Sequence, residues 1–161
     1  GFVAIYKDWL ISALRLPIPP FLFQILAFWG IRITQLIPNV VRSILGLFIL
    51  CLILEIPYSL ELLRSFFHMK VSDHVPVWFY FTRRSGVKYP TCKLFTGVPS
   101  SIRGWKAQFF YVKNIGFPSP TWREETQVSD PIPSPLPKPE LDRLLNSDIR
   151  LNVKEFNDAQ L

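Results

Sequence analysis

Leu94-Phe95-Thr96-Gly97-Val98-Pro99-Ser100-Ser101-Ile102-Arg103-Gly104-Trp105-Lys106-Ala107-Gln108-Phe109-Phe110-Tyr111-Val112 joins a tight turn to a basic aromatic run. Gly97, Pro99 and Gly104 read as shape residues: a turn, then a close backbone approach before Trp105 packs. Gln108–Val112 has the aromatic and β-branched texture of a strand. The stretch holds no acid, no histidine and no nucleophile backed by a base. It is a packing device, and it points to an architecture before it points to any chemistry.

Working backwards, Val77-Trp78-Phe79-Tyr80-Phe81 is a second strand candidate. The two candidates are expected to pair antiparallel, with 83–107 looping between them. Because a lone pair of strands is marginal in water, it must lie against helices. Four helices are expected before it. Ile5, Trp9 and Ala13 share one face of a helix over 5–14. Pro20 can occupy the first turn of a second helix, which runs to Trp29, and Gly30 suits its left-handed C-terminal position. A turn or two over 31–37 precedes the longest helix, about 40–55, with Asn39 as its cap. Pro57 breaks that helix and Ser59 caps a fourth over 60–69. Leu60, Leu63 and Phe67 give the fourth helix an apolar face, with Glu61, Arg64 and His68 on or near the other side. The expected core is Trp9, Phe21, Leu26, Ile44, Phe48, Leu62 and Phe66. The fold class is therefore α+β, mainly α-helical, with a small aromatic antiparallel β-pair.

The body ends near Phe117. Pro118, Pro120, Pro131, Pro133, Pro135, Pro137 and Pro139 then favour an extended, polyproline-like or disordered tail. Short helices are expected within 140–156, where Leu141, Leu144 and Leu145 form an apolar group able to dock. The domain division is thus 1–117 and 118–161.

A hydrophobic content of 49% and an aromatic content of 15% over 161 residues supply a real core. Mean hydropathy is +0.23, so a membrane reading has to be weighed. Ser43–Leu54 is the apolar run, but it holds only twelve residues between Arg42 and Glu55. A span needs roughly 20. A buried core helix fits better, and a membrane-associated protein anchored by 40–60 remains the minority alternative. Cys51 and Cys92 are too few for a disulfide scaffold. No secretory signal is read at the N-terminus. An intracellular location, nucleus or cytoplasm, is expected. The chain opens on Gly1 rather than Met, which leaves a longer reading frame open.

Charge is uneven. Residues 1–120 carry thirteen Lys/Arg against four Asp/Glu, whereas 121–161 carry five against eight. A basic body with an acidic tail suggests a polyanion partner or a tail that folds back. Arg83, Arg84, Lys88, Lys93, Arg103, Lys106 and Lys113 lie in one stretch without an acid, interleaved with Tyr89, Trp105 and Tyr111. Cations for phosphate and rings for base stacking are what single-strand binding requires. The blander reading of the same residues is a solvated face with aromatic anchors pointing inward.

No catalytic set or cofactor emerges. The basic body has Asp8, Glu55, Glu61 and Asp73 as its acids, with no clustered carboxylates for a two-metal site. His68, His74, Cys51 and Cys92 lack short ligand spacings, and no CCHC zinc knuckle occurs. There is no Gly-rich phosphate loop. An enzyme is not expected.

Five pieces, in order, resemble the gypsy-type transposon domain, a family abundant in plant genomes and described as transposase-like or gag-like. They are Leu14–Phe21, Gln35–Asn39 with Arg42, Leu62–Phe67, Trp78–Phe81 and 94–112. The resemblance covers roughly 5–115. Residues 43–54 depart from it by being more apolar. It implies a non-enzymatic, retrotransposon-derived structural or interaction domain, with RNA or DNA contact through Arg83–Lys113 and self-association as further expectations. A non-catalytic transposase fragment is the other alternative.

Overall fold

The protein is described by a computed structural model over residues 1–84, 94–99, 101–114 and 128–152. It is an α+β fold. The chain opens with strand β1 (Phe2–Tyr6), which leads directly into helix α1 (Lys7–Ile11). The expected helix over 5–14 is therefore corrected. Ile5 and Trp9 are both fully buried, as their spacing suggested, but Ile5 reaches the core from a strand. Ala13, at φ 72, turns the chain out of α1.

Helix α2 (Pro20–Trp29) follows the sequence reading at both ends. Pro20 sits in its first turn, and Gly30 closes it at φ 63, where a side chain would be strained. A 3-10 turn over Ile33–Gln35 leads into helix α3 (Pro38–Ile53). The cap of α3 is Ile37 rather than Asn39. Pro38 takes the first helical position because its missing N–H has no partner there in any helix. Asn39 lies inside the helix, where its side chain is free to reach across. Helix α4 (Leu60–Phe66) is capped as expected, with Ser59 Oγ accepting from Leu62 N at 3.1 Å. It ends earlier than 69, because Phe67–Val71 forms strand β2.

The expected strand pair is not formed. Strand β3 (Phe79–Arg83) pairs with β2, antiparallel, setting Met69 opposite Phe81. Past the short strand β4 (Phe95–Thr96) and a 3-10 turn over Trp105–Ala107, strand β5 (Phe109–Lys113) pairs with β1. Each aromatic strand thus finds its partner nearer the N-terminus. Both pairs were hidden because β1 and β2 sit at the ends of helical patterns.

Residues 128–152 lie against the body. Helix α5 (Lys138–Asn146) buries Leu141 and Leu144 in the common core. Arg143 donates to the carbonyls of Leu54 and Glu55, occupying acceptors that the end of α3 leaves open. Strand β6 (Leu151–Asn152) pairs parallel with β4. Asp130 is buried between two arginines: its Oδ1 lies 3.0 Å from Arg64 Nε and 3.1 Å from Arg84 Nη2. Its Oδ2 accepts from Met69 N at 2.9 Å. Arg64, expected on the polar side of α4, is therefore buried, and its guanidinium also covers the Phe28 ring.

The core joins β1, α1, α2, α3, α4 and the β2–β3 pair around Trp9, Leu22, Leu26, Ile44, Leu62 and Phe79. Phe21 and Phe48, also expected there, are partly exposed and stack on one another at 4.2 Å. Phe66 is likewise partly exposed. Gln35 links the elements: its Oε1 accepts from Arg32 N and its Nε2 donates to Val77 O. Trp9 Nε1 donates to Leu36 O at 3.3 Å. The apolar run 43–54 is core, since α3 buries Ile44, Leu45, Leu47, Leu50 and Cys51. Among the described residues no helix is long and apolar enough to cross a membrane.

Candidate nucleic-acid interface

The β1–β5 register decides which side chains share a surface. Phe2 lies opposite Lys113, Ala4 opposite Tyr111, and Tyr6 opposite Phe109. Directly opposed residues face the same way, and successive residues alternate. One face therefore carries Val3, Ile5, Phe110 and Val112; Ile5 anchors it in the core, while Phe110 is 42% exposed. The other carries Phe2, Ala4, Tyr6, Phe109, Tyr111 and Lys113. This second face is open: Phe2 is 73% exposed, Tyr111 67% and Phe109 47%.

Its rings are continuous with a partly buried aromatic cluster. Tyr111 meets Phe109 edge-on at 5.5 Å, and Phe109 meets Tyr6 at 6.0 Å. Tyr6 contacts Trp105 at 4.7 Å and Trp9 at 4.9 Å, while Trp105 contacts Trp78 at 4.8 Å. Such edge-to-face pairs fix ring orientation beyond what area burial does. Partial burial pushes the Tyr6 hydroxyl above its ordinary pKa, and the Tyr111 hydroxyl adds to this. Gly104, at φ 72, starts the turn that places Trp105 inward and Lys106 outward. The Lys106 ammonium then sits 4.7 Å from the Trp78 ring and 5.7 Å from the Trp105 ring. The aromatic face thus has Lys113 at its Phe2 end and Lys106 at its Tyr6 end. Neither strand contains an acid.

The seven cations of the basic stretch do not share one place. Lys106 and Lys113 belong to this face. Arg103 is exposed just before the Gly104 turn. Arg83 is exposed at the end of β3, opposite Phe67 in the β2–β3 pair. The Arg84 side chain is only 7% exposed. It is held by Asp130, by the carbonyls of Asp130 and Pro131, and by Arg64 O. Lys88 and Lys93 lie outside the described residues, as does Tyr89. Of the interleaved rings, Trp105 is buried and Tyr111 is exposed. Phe2, Tyr6 and Trp78 join the surface although the basic stretch does not include them. The β-branched and aromatic texture of Phe2-Val3-Ala4-Ile5-Tyr6 was the signal for the first two.

A cavity of about 580 Å³ lies elsewhere, between α3, α4, the β2–β3 pair and the 94–99 turn. Phe67, Phe81 and Phe95 line it together with Asn39, Ser43 and Thr96. The turn is tied down there: Asn39 Nδ2 donates to Pro99 O at 3.0 Å, and Asn39 Oδ1 accepts from Arg42 at 3.0 Å. These bonds connect the Gln35–Arg42 motif to the 94–99 motif across sixty positions of sequence. Among the described residues no three His, Cys, Asp or Glu side chains converge as a metal site would require.

Residues 3–71 match the family described as "Putative gypsy type transposon". The match covers less than half of the chain and supports a gypsy-type transposon domain over those residues. The match ends with β2, whereas the resemblance read from sequence extended to about 115. Both strands inside the match, β1 and β2, pair with strands outside it, β5 and β3. No curated protein and no solved structure gives a significant match to the chain.

Proposed function

We propose that this gypsy-type transposon domain is a non-enzymatic, gag-like structural and interaction domain that contacts RNA or DNA. The observation carrying this reading is the outward face of the β1–β5 pair, where exposed Phe2, Phe109 and Tyr111 lie between Lys113 and Lys106 with no acid on either strand. A monomeric surface ordinarily avoids gathering large rings on one face, and such a patch marks a contact site. Cations around aromatic rings complement a phosphate backbone carrying unsaturated bases. Arg103, Lys106 and Lys113 contribute to this contact. Arg84 serves the fold, because Asp130 already neutralises it. Such a role places the protein inside the cell, where the nucleic acid is.

Retention of the purified chain on immobilised RNA or DNA at low salt, with release as salt rises, is the expected behaviour. Absence of retention at low salt would end this reading.

A further inference from the structure

Resting on that reading, we infer that the β1–β5 face takes unpaired bases, so that its ligand class is single-stranded nucleic acid and not duplex. Three observations carry the selectivity. The exposed groups are ring faces and edges on a two-stranded ribbon. A duplex hides the faces of its bases, whereas an open strand presents them for stacking on aromatic side chains. The residues at the outward positions of the two strands include no Asn, Gln or Arg able to read a base edge. Finally, among the described residues the cations on the face are few. Arg84 is withdrawn by Asp130, leaving Lys106 and Lys113 at opposite ends and Arg103 nearby.

The length of the face sets the size of the site. Four residue steps along β5 cover about 13 Å. That length suits about two or three stacked bases. Phe2 and Tyr111, the most exposed rings, are the stacking residues, with Phe109 between Tyr111 and Tyr6. Lys106 is held over Trp78 and Trp105, which keeps its ammonium at the edge of the platform for a phosphate.

The test compares a short single-stranded RNA with an RNA duplex of the same sequence, using the full chain and the variants Phe2→Ala, Tyr111→Ala and Tyr111→Phe. Both aromatic positions are exposed, and melting temperatures close to the parent verify that the fold is kept. The single strand should bind more tightly than the duplex. Each alanine variant should weaken single-strand binding by about 5- to 150-fold while leaving the weak duplex binding unchanged. Tyr111→Phe, which keeps a ring, should retain most of the affinity.

Equal affinity for both forms, or alanine variants that bind like the parent, would overturn the stacking inference while the broader nucleic-acid reading survives. Failure to bind either form at low salt would overturn both. Alanine variants that change the sedimentation of the free protein, with binding unaltered, would overturn it in favour of an interface between copies of this chain.

Discussion

Asp130 Oδ1 lies 3.1 Å from Arg84 Nη2, so an acid of the proline-rich segment neutralises a cation of the basic stretch. The same oxygen holds Arg64 at 3.0 Å, and the second carboxylate oxygen accepts from Met69 N. One buried carboxylate therefore joins α4, β2 and the end of β3. Removing it would leave two guanidinium groups facing each other with little water. Breaking a buried pair from one side costs about 3–5 kcal/mol. Asp130→Ala should show that loss in denaturant unfolding, whereas Asp142→Ala, on the exposed side of α5, should change stability by less than about 0.5 kcal/mol.

Gly46 sits in α3 beneath the Phe95 ring, and a Cβ there would lie 2.7 Å from Phe95 Cε1. Phe95 is also stacked parallel to Phe67, with centroids 6.3 Å apart, which limits its retreat. Overpacking typically costs about 1–3 kcal/mol. Ala gains about 1 kcal/mol over Gly in a helix interior. Gly46→Ala should therefore be destabilising or near neutral in the parent. In a Phe95→Ala background it should become stabilising. A double-mutant cycle by thermal or chemical unfolding measures the coupling.

Tyr58 closes an aromatic group with Phe21 and Phe48, at 5.1 and 5.5 Å. Its hydroxyl is buried with no hydrogen-bond partner among the described residues. Burial pushes its pKa strongly upward, since a phenolate has no support there. A buried hydroxyl without a partner is a cost, so Tyr58→Phe should leave the melting temperature unchanged or raise it. A clear loss of stability would show that the hydroxyl is satisfied.

Cys51 lies in the middle of the buried face of α3, and burial pushes its thiol up to about 11. The thiolate is the reactive form. Alkylation at neutral pH, read on the peptide containing Cys51, should be slow in the native protein and fast in denaturant. The sign on stability follows. The unfolded thiol ionises first as pH rises, so this group's contribution is complete below about 8.5 and is lost as pH climbs toward 11.

How much of this was legible in sequence depended on whether the signal was local. Pro20 and Gly30 marked both ends of α2, and Ser59 marked the start of α4, because each acts on the backbone beside it. Leu141 and Leu144 marked an apolar face on α5. Strand pairing was not legible. Ile5 and Trp9 satisfied a helical spacing while belonging to different elements, and the burial they share hid the strand. Asp130 looked like one acid of a charged tail, since its partners stand 66 and 46 positions away. The candidate surface was half legible. Lys106, Tyr111 and Lys113 lay in the basic stretch, but Phe2 and Tyr6 became neighbours of them only through the β1–β5 register.

The central claim is that the cations of the β1–β5 face contact nucleic acid. The most direct measurement is the slope of log affinity against log salt for single-stranded RNA, for the parent and for Lys106→Ala/Lys113→Ala. Two lost phosphate contacts should flatten the slope by about 1.4. An unchanged slope in the double variant would contradict the account.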